Sequence, residues 1–443
     1  MNIAFFVHCF FPDHFYGTET YTLELARHYR NWGHQVTVVS AVFPGEPAKT
    51  ELITRYEYRG VPVICIDKNR LPDARVRDTY HQPALRPVLE QILDGLKPDV
   101  VHVTHLINHT AVLLDVTSER GIPTYATLTD FFGFCLNNKL EAADGELCLG
   151  PSPSRINCLA CHLQAIRRYS SAKPWLRAAA FPELAPVIAR LAPFAGKWPG
   201  DFGQRLTQLV GDIAERPDTL TELYNRTYRA AVAPTRFLEN AYRNNRFTVP
   251  LHTLWFGVDI DRSPKPKRPE GRLPVLGFIG QIAPHKGVDL LIDAFLRLPP
   301  GSAELRIYGP ENLDPVYMAR LRASATGAPI SFPGTFAKEA MAGILADVDL
   351  LVVPSRWYEN SPLVLLNALA THTPVLIADV AGMTEFVEEE VNGHHFRRGS
   401  VDDLEARLRA LLKEPDTLAR LSETTRYERT IEMMARETFQ IYS

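Results

Sequence analysis

Two stretches of this sequence gather groups suited to a phosphate and to sugar hydroxyls. In GFIGQIAPHKGVDLLIDAFLRL, from Gly277, an apolar run ends at Gly280. A short loop then carries Gln281 and Lys286, and a helical pattern opens at Gly287. Val288, Leu291, Ile292, Phe295 and Leu298 recur at helical spacing and form its buried stripe. Such a turn sets free backbone N–H groups, a helix N-terminus and an ammonium at one point, which suits a diphosphate. It has neither the G-x-G-x-x-G fingerprint nor a Walker A loop. The plain alternative is a solvated Lys in an ordinary strand-to-helix turn.

The second stretch is VVPSRWYENSPLVLLNALATHTPVLIAD. A buried strand ends near Ser355, and a polar loop carries Glu359, Asn360 and Ser361. Ser361 is expected to cap a helix with Pro362 at its first position and Leu363 next. Asn367 follows Glu359 by eight residues. A carboxylate and an amide beside a helix start offer the mixed donors and acceptors that hydroxyls need. The alternative is that Glu359 only complements the helix dipole.

A third group is chemical of another kind. Cys135, Cys148, Cys158 and Cys161 have the spacing C-x12-C-x9-C-x2-C. The closing Cys-Leu-Ala-Cys is a common half of a tetrahedral zinc site, and Asp144-Gly145 suggests a tight turn within a small knuckle. A structural zinc ion is the leading expectation, with free thiols and redox or disulfide use as the alternatives. Cys9 and Cys65 lie in expected strands and read as core residues.

Positioning these groups requires strand ends. Asn2–Phe10 reads as a strand, followed by a loop with Gly17 and a helix from about Thr18, its expected N-cap, to Trp32. Further strands are expected at Gln35–Ala41, Val61–Ile66, Asp99–Thr104 and Thr124–Asp130. After a break they resume at Val275–Gly280, Glu304–Tyr308, Ile330–Phe332, Asp349–Pro354 and Val375–Asp379. Strands alternating with helical patterns imply parallel sheets covered on both faces, hence an α/β protein. At 443 residues the chain exceeds one ordinary core. The expected division is residues 1–255, a Pro-rich and charged linker at 256–272, a second domain at 273–426 and a terminal helix at 427–443. An insertion is expected at about 137–223.

Composition narrows the field. Hydrophobic residues make up 46% and charged residues 22%, as in ordinary globular proteins. A net charge of -3 gives no nucleic-acid footprint. No apolar run reaches the ~20 residues of a membrane span. The N-terminal MNIAFFVHCFF lacks a basic segment and a small-residue cleavage site, so it reads as a buried strand of a cytoplasmic protein.

With these motifs in order, the chain resembles the family 4 retaining glycosyltransferases of the GT-B fold, and a subgroup of them with a Cys-rich insertion. The Lys286 loop is similar to that family's "phKG", and Pro354-Ser355 through Glu359 to its Pro-Ser-x-x-x-E. Ala381–Glu385, Asn392-Gly393, Asn31–Val36, Pro98–His102, Ala233–Thr235 and Phe256–Asp259 match further family stretches, and Gly17-Thr18-Glu19 stands at its Gly-rich phosphate turn. The resemblance implies two Rossmann-like domains around a cleft, the terminal helix crossing back to the first. It implies sugar transfer with retention from a nucleotide-diphosphate sugar, of UDP or GDP type, without a catalytic metal. Lys286 would neutralise the leaving diphosphate and Glu359 would hold the donor sugar. Gly17, Gln281, Gly309, Asn360, Ser361, Pro362, Leu363 and Asn367 would complete the donor site. The acceptor is expected to be a saccharide, lipid-linked or small molecule.

Three positions depart from the pattern. Gln281 replaces the usual Arg, Asn367 the usual Glu, and Thr129 the His that precedes a strand-end Asp. Asp130 then stands as the substitute catalytic group, with Thr129, His102 and His105 as acceptor-side or supporting residues. The rival functions are a nucleotide-sugar 2-epimerase and a non-catalytic nucleotide-sugar binder. Within the insertion, Arg167, Arg168, Lys173 and Arg177 accompany Tyr169, Trp175, Leu176 and Phe181. This surface suits peripheral membrane contact, though a solvated basic face on a helical subdomain is the preferred reading.

Overall fold

The structure is a computed structural model that describes residues 1–169, 174–197, 201–414 and 416–442. Lys173 lies outside the described residues, as do the side chains of Tyr169, Trp175 and Leu176. The chain divides into two compact units, Met1–Leu254 with the residues from Ala435, and Trp255–Met434. Residues 256–272 and 427–434 therefore go with the second unit.

The first unit is built on eight strands: β1 Asn2–Phe6, β2 Gln35–Val42, β3 Ile53–Tyr58, β4 Val61–Asp67, β5 Val100–Val103, β6 Thr124–Thr127, β7 Tyr228–Ala233 and β8 Leu251–Thr253. Their order is β3-β4-β2-β1-β5-β6-β7-β8. Only β3 runs antiparallel, against β4. The first strands are apolar on both faces: Ile3, Phe5, Phe6, Val38 and Val101 are wholly buried, as helices on each side of a parallel sheet demand. The second unit has β9 Val275–Ile279, β10 Glu304–Tyr308, β11 Ile330–Gly334, β12 Leu350–Val353, β13 Val375–Ala378 and β14 Gly393–Phe396. Its order is β11-β10-β9-β12-β13-β14, with every pairing parallel.

Both sheets reverse their winding direction beside their first strand. In the first unit the switch lies between β1 and β5, and in the second between β9 and β12. Loops at the carboxyl ends of such strand pairs splay apart and leave a crevice, where open α/β sheets bind ligands.

The insertion between β6 and β7 is helical and has a core of its own. Leu159 and Leu163, from the helix Ile156–Tyr169, pack with Ala185 and Ile213 from the helices Ala185–Ala195 and Asp201–Thr227. The last residues close on the first unit: Phe439 stacks on His34 with ring centroids 4.8 Å apart, and Tyr442 reaches His102.

Two expected caps are corrected. The first long helix spans Gly17–Asn31 and is preceded by Tyr16, with no side-chain cap, so Thr18 already lies within its first turn. The helix Leu363–Ala370 is preceded by Pro362. Ser361 takes φ 58°, a left-handed conformation incompatible with capping that helix.

Candidate active site

In the second unit, the loop after β9 and the loop after β12 meet at the switch point. Lys286 Nζ lies 2.5 Å from Glu359 Oε1. The same carboxylate oxygen accepts from Trp357 Nε1 at 3.1 Å and from Ser355 Oγ. The ammonium also stands 5.1 Å from the Trp357 ring centroid, within cation–π range. Backbone bonds stitch the two loops together: Arg356 N–H donates to the His285 carbonyl at 2.8 Å. Arg356 also donates to the Pro284 carbonyl and pairs with Asp289, both at 2.8 Å. Burial alone would raise the Asp289 carboxyl, but Arg356 and the Tyr317 hydroxyl hold it below the usual range.

Close packing at this point requires glycine. Gly287 has φ 71°, and a Cβ there would collide with the Pro354 carbonyl. At Gly309, a Cβ would strike the Gly280 carbonyl, so the loop after β10 also presses against the end of β9. The helix Val288–Phe295 begins at Gly287 without a side-chain cap from that residue, and of its first N–H groups that of Asp289 donates to the Tyr317 hydroxyl at 3.1 Å. Gln281 lies half-buried at the start of the same loop.

The second helix start, at Leu363, contributes less obvious groups. Ser361 is 2% exposed, and its hydroxyl has no hydrogen-bond partner among the described residues. Asn360 and Pro362 flank it, and Asn367 sits half-buried on the helix, with no hydrogen bond from its side chain among the described residues. The strained, buried Ser361 could not be singled out from sequence, where it looked like a cap.

In the first unit, the ends of β1, β5 and β6 bring together a different set. His105 Nε2 lies 2.8 Å from Asp130 Oδ2, and the other oxygen of Asp130 accepts the Phe132 N–H at 2.8 Å. Thr129 donates to the Thr104 carbonyl at 3.1 Å. Thr129, Asp130 and His105 line one cavity with Phe132, Tyr224 and Tyr242. His8 packs against His105 with ring centroids 4.3 Å apart and planes tilted by 42°, and lies 3.2 Å from Glu19, which also accepts from Cys9 Sγ at 3.0 Å. His8 and Glu19 belong to this cluster, yet nothing in the spacing along the chain pointed to them. Burial, and then the neighbouring His105 and His109, push the His8 imidazole well down. Gly17 opens the helix that carries Glu19 and has a clear space where a Cβ would project.

Of the two roles open to His102, the supporting one fits its surroundings. It is wholly buried, bonded to Tyr442 OH at 2.6 Å and to Thr127 Oγ1 at 2.8 Å. Burial pushes it down to about 3, so it is neutral and fully occupied as an anchor for the C-terminal residues. It is not available to an acceptor.

The four cysteines Cys135, Cys148, Cys158 and Cys161 line one further cavity, and none is in a disulfide. As placed, no three of their sulfurs fall within 4.8 Å of one another. Among the described residues only His8, Cys9 and Glu19 have three ligand atoms that close.

Sequence comparison agrees with this architecture. Residues 259–428 match the family model for glycosyl transferases group 1, and residues 15–137 match that for glycosyltransferase family 4. Each match takes in less than half of the chain, one falling on each unit, and together they indicate the GT-B glycosyltransferase family. Among curated relatives, the sulfoquinovosyl transferase SQD2 of Arabidopsis thaliana is 29% identical over 162 residues, 36% of this chain and 30% of that one. The D-inositol 3-phosphate glycosyltransferase of Nocardia farcinica is 34% identical over 157 residues, 33% of this chain and 35% of that one. The aligned region thus spans about a third of each relative's length. The whole fold is similar to the crystal structure of Anabaena Alr3699/HepE in complex with UDP and glucose, at TM-score 0.63 and 16% identity, covering 100% of this chain and 99% of that one. WaaG, a glycosyltransferase involved in lipopolysaccharide biosynthesis, gives 0.60 and 15%, covering 99% of each chain.

Proposed function

We propose that this protein transfers a sugar, with retention of anomeric configuration, from a nucleoside-diphosphate sugar to an acceptor at the N-terminal switch point. The observation that carries the reading is the Lys286–Glu359 pair at the uncapped start of the helix Val288–Phe295. When a donor binds, its diphosphate takes the ammonium and faces the positive end of the helix. Glu359 is thereby released to accept hydrogen bonds from sugar hydroxyls. Charge developing on the departing diphosphate is met by groups already oriented, so no metal is needed there. Ser361 Oγ and the Asn367 amide add neutral hydrogen-bonding groups at the second helix start. Asp130, steadied by His105 and the Phe132 N–H, would orient the acceptor.

An acceptor held on a lipid surface fits one feature of the insertion. Leu184, Val187, Leu191 and Phe194 fall on one face of the segment from Leu184 through the helix Ala185–Ala195, and they are exposed, Val187 by 52% and Phe194 by 64%. The adjoining face, with Ala185, Ala192 and Ala195, is buried. Arg167, Arg168, Arg177, Arg190, Lys197 and Arg205 lie in the same region, against Glu183 and Asp201. An apolar stripe in a basic setting suits an anionic membrane surface.

The test is a panel of UDP- and GDP-sugars assayed for donor hydrolysis and transfer, with the anomeric proton of the product followed by NMR. Transfer with retained configuration supports the reading. Tight nucleotide binding without turnover favours the non-catalytic binder, and a 2-epimeric nucleotide sugar favours the epimerase. Sedimentation with anionic and zwitterionic vesicles tests the surface: loss of anionic-vesicle binding in Val187→Glu/Phe194→Glu is expected. No vesicle binding by the unaltered chain would leave a water-soluble acceptor.

A further inference from the structure

We propose that Cys135, Cys148, Cys158 and Cys161 bind one structural zinc ion that fixes the loop carrying Asp130. The four residues come from three separate pieces of backbone. Cys135 closes the turn after Asp130, where Phe134 and Cys135 N–H groups both return to the Phe131 carbonyl. Cys148 follows a tight hairpin: Glu141 and Leu147 form an antiparallel bridge around Asp144-Gly145, with Gly145 at φ 89°. Cys158 and Cys161 are three apart in the first turns of the helix Ile156–Tyr169, so they share a face. A hairpin cysteine facing a pair at a helix start is an economical way to surround a tetrahedral ion.

Local hydrogen bonding at Cys148 suits a thiolate. Gly150 N–H and Asn157 Nδ2 both donate toward Cys148 Sγ, at 3.3 and 3.7 Å. The N–H two residues beyond a cysteine is well placed to stabilise a charged sulfur. As thiols, three of the four donate elsewhere: Cys135 to Asn137 Oδ1 at 2.9 Å, Cys148 to the Gly150 carbonyl at 3.3 Å and Cys161 to the Glu141 carbonyl at 3.6 Å. Metal binding requires these thiols to rotate about Cα–Cβ, between staggered positions, into the cavity they line.

An independent observation comes from the helix behind the cavity. Arg216 is 2% exposed, and its Nη1 has no hydrogen-bond partner among the described residues. Its Nη2 donates to the Phe132 carbonyl at 2.9 Å, and its guanidinium lies 4.8 Å from the Phe132 ring centroid. A buried cation needs counter-charge. Its electrostatic neighbours are Cys135, Tyr224, Asp130 and Cys158, of which the Asp130 carboxylate already supplies part of that charge. Four thiolates around Zn²⁺ carry a net charge of about −2, which would add to the counter-charge that Asp130 gives Arg216. On binding, each thiol gives up its proton to solvent and the sulfur lone pair forms the bond to zinc; nothing is oxidised or reduced. Zinc and Arg216 would then hold the Phe131–Cys135 turn from two sides, and with it the backbone that presents Asp130.

The experiment is elemental analysis of the full chain, expressed without a metal-binding tag. About one zinc per chain is expected. Cys158→Ser/Cys161→Ser should lose it, while Cys9→Ser and His8→Ala, which alter the other candidate trio, should keep it. Should the double variant fail to fold, the unaltered chain still decides. Stripped with a chelator and titrated with Co²⁺, it should show the charge-transfer and visible bands of tetrahedral thiolate coordination, saturating near one equivalent. A folded chain without metal or cobalt bands overturns the proposal. So does an intact mass about 2 Da low, as a disulfide gives, or zinc that survives the double variant but is lost in His8→Ala.

Discussion

The two switch points share a topology and differ in how they handle charge. In the C-terminal unit, ionic pairs gather at the strand ends: Lys286 with Glu359, and Arg356 with Asp289. In the N-terminal unit, imidazoles dominate, and burial discharges His102, to about 3, and His109, to about 4. The partners of these two are hydroxyls and a carbonyl, Tyr442 and Thr127 for His102 and Val7 for His109, while His8 and His105 pair with Glu19 and Asp130. A strand-end crevice can therefore be tuned either to hold a multiply charged group or to orient neutral hydroxyls, with the same backbone plan beneath. In the proposed reaction, the first property suits a departing diphosphate and the second an acceptor.

The largest effect should come from removing the mobile charge of the C-terminal site. Lys286→Ala is expected to reduce kcat about 10²–10³-fold, the loss usual for one preorganised electrostatic contact. The measurement is turnover at saturating donor. A near-normal rate would mean that the charge contrast between the two units has no bearing on the chemistry.

At the N-terminal site, Asp130→Asn should lower kcat about 10- to 100-fold, as expected for one hydrogen bond to a charged group. Donor affinity should stay unchanged when measured by calorimetry. Equal losses in both quantities would break the division of labour between the units.

The same contrast predicts where acid acts first. His102 and His109 have folded pKa values below the unfolded ~6.5. Between about pH 6.5 and pH 4 the unfolded chain therefore binds protons that the folded chain does not. Stability then falls as pH falls, by about 1.4 kcal/mol per pH unit for each such group. In the C-terminal unit, burial pushes Lys265 down to about 8, so it titrates above this window. Hydrogen exchange corrected for intrinsic rates, at pH 7 and pH 5, should show β1 and β5 losing protection before β9 and β12. Uniform loss would place the acid-sensitive groups elsewhere.

Legibility in the sequence follows the same line. The Lys286 and Glu359 loops were readable because each site residue sits within a few positions of the strand end and helix start that present it. The parallel core strands were readable as apolar runs, and Glu304–Tyr308 has the same limits in sequence and structure. The strands β3, β7, β8 and β14 were not. ITRYEY alternates on an edge strand, LHT is only three residues long, GHHF is half polar, and YRAAVA continues directly from a long helix. The His8–Glu19–His105–Asp130 cluster was only partly readable, through Asp130 and His105. His8 and Glu19 join it because β1 lies beside β5 in the sheet, which no local pattern encodes. His102 misled for the converse reason: a strand-end His looks functional until Tyr442, 340 residues away, is seen to occupy it.

The smallest predicted effect tests whether the C-terminal site is already electrostatically complete. Asn367 lies on the helix Leu363–Ala370, half-buried, and its amide makes no hydrogen bond among the described residues. Asn367→Glu adds a carboxylate that can accept two ribose hydroxyl donors with charge assistance, which is stronger than a neutral amide contact. It also adds a negative charge in the same strand-end crevice as Glu359 and a bound diphosphate, which is unfavourable. The helix start opposes that penalty only weakly, because the substitution falls beyond the first turn. These terms offset, so nucleoside diphosphate affinity should change by less than about tenfold, or ~1.4 kcal/mol, in isothermal titration. A modest gain would identify the ribose as the group facing Asn367. A loss of more than a hundredfold would mean that the diphosphate itself lies there, and that Lys286 alone does not define its position.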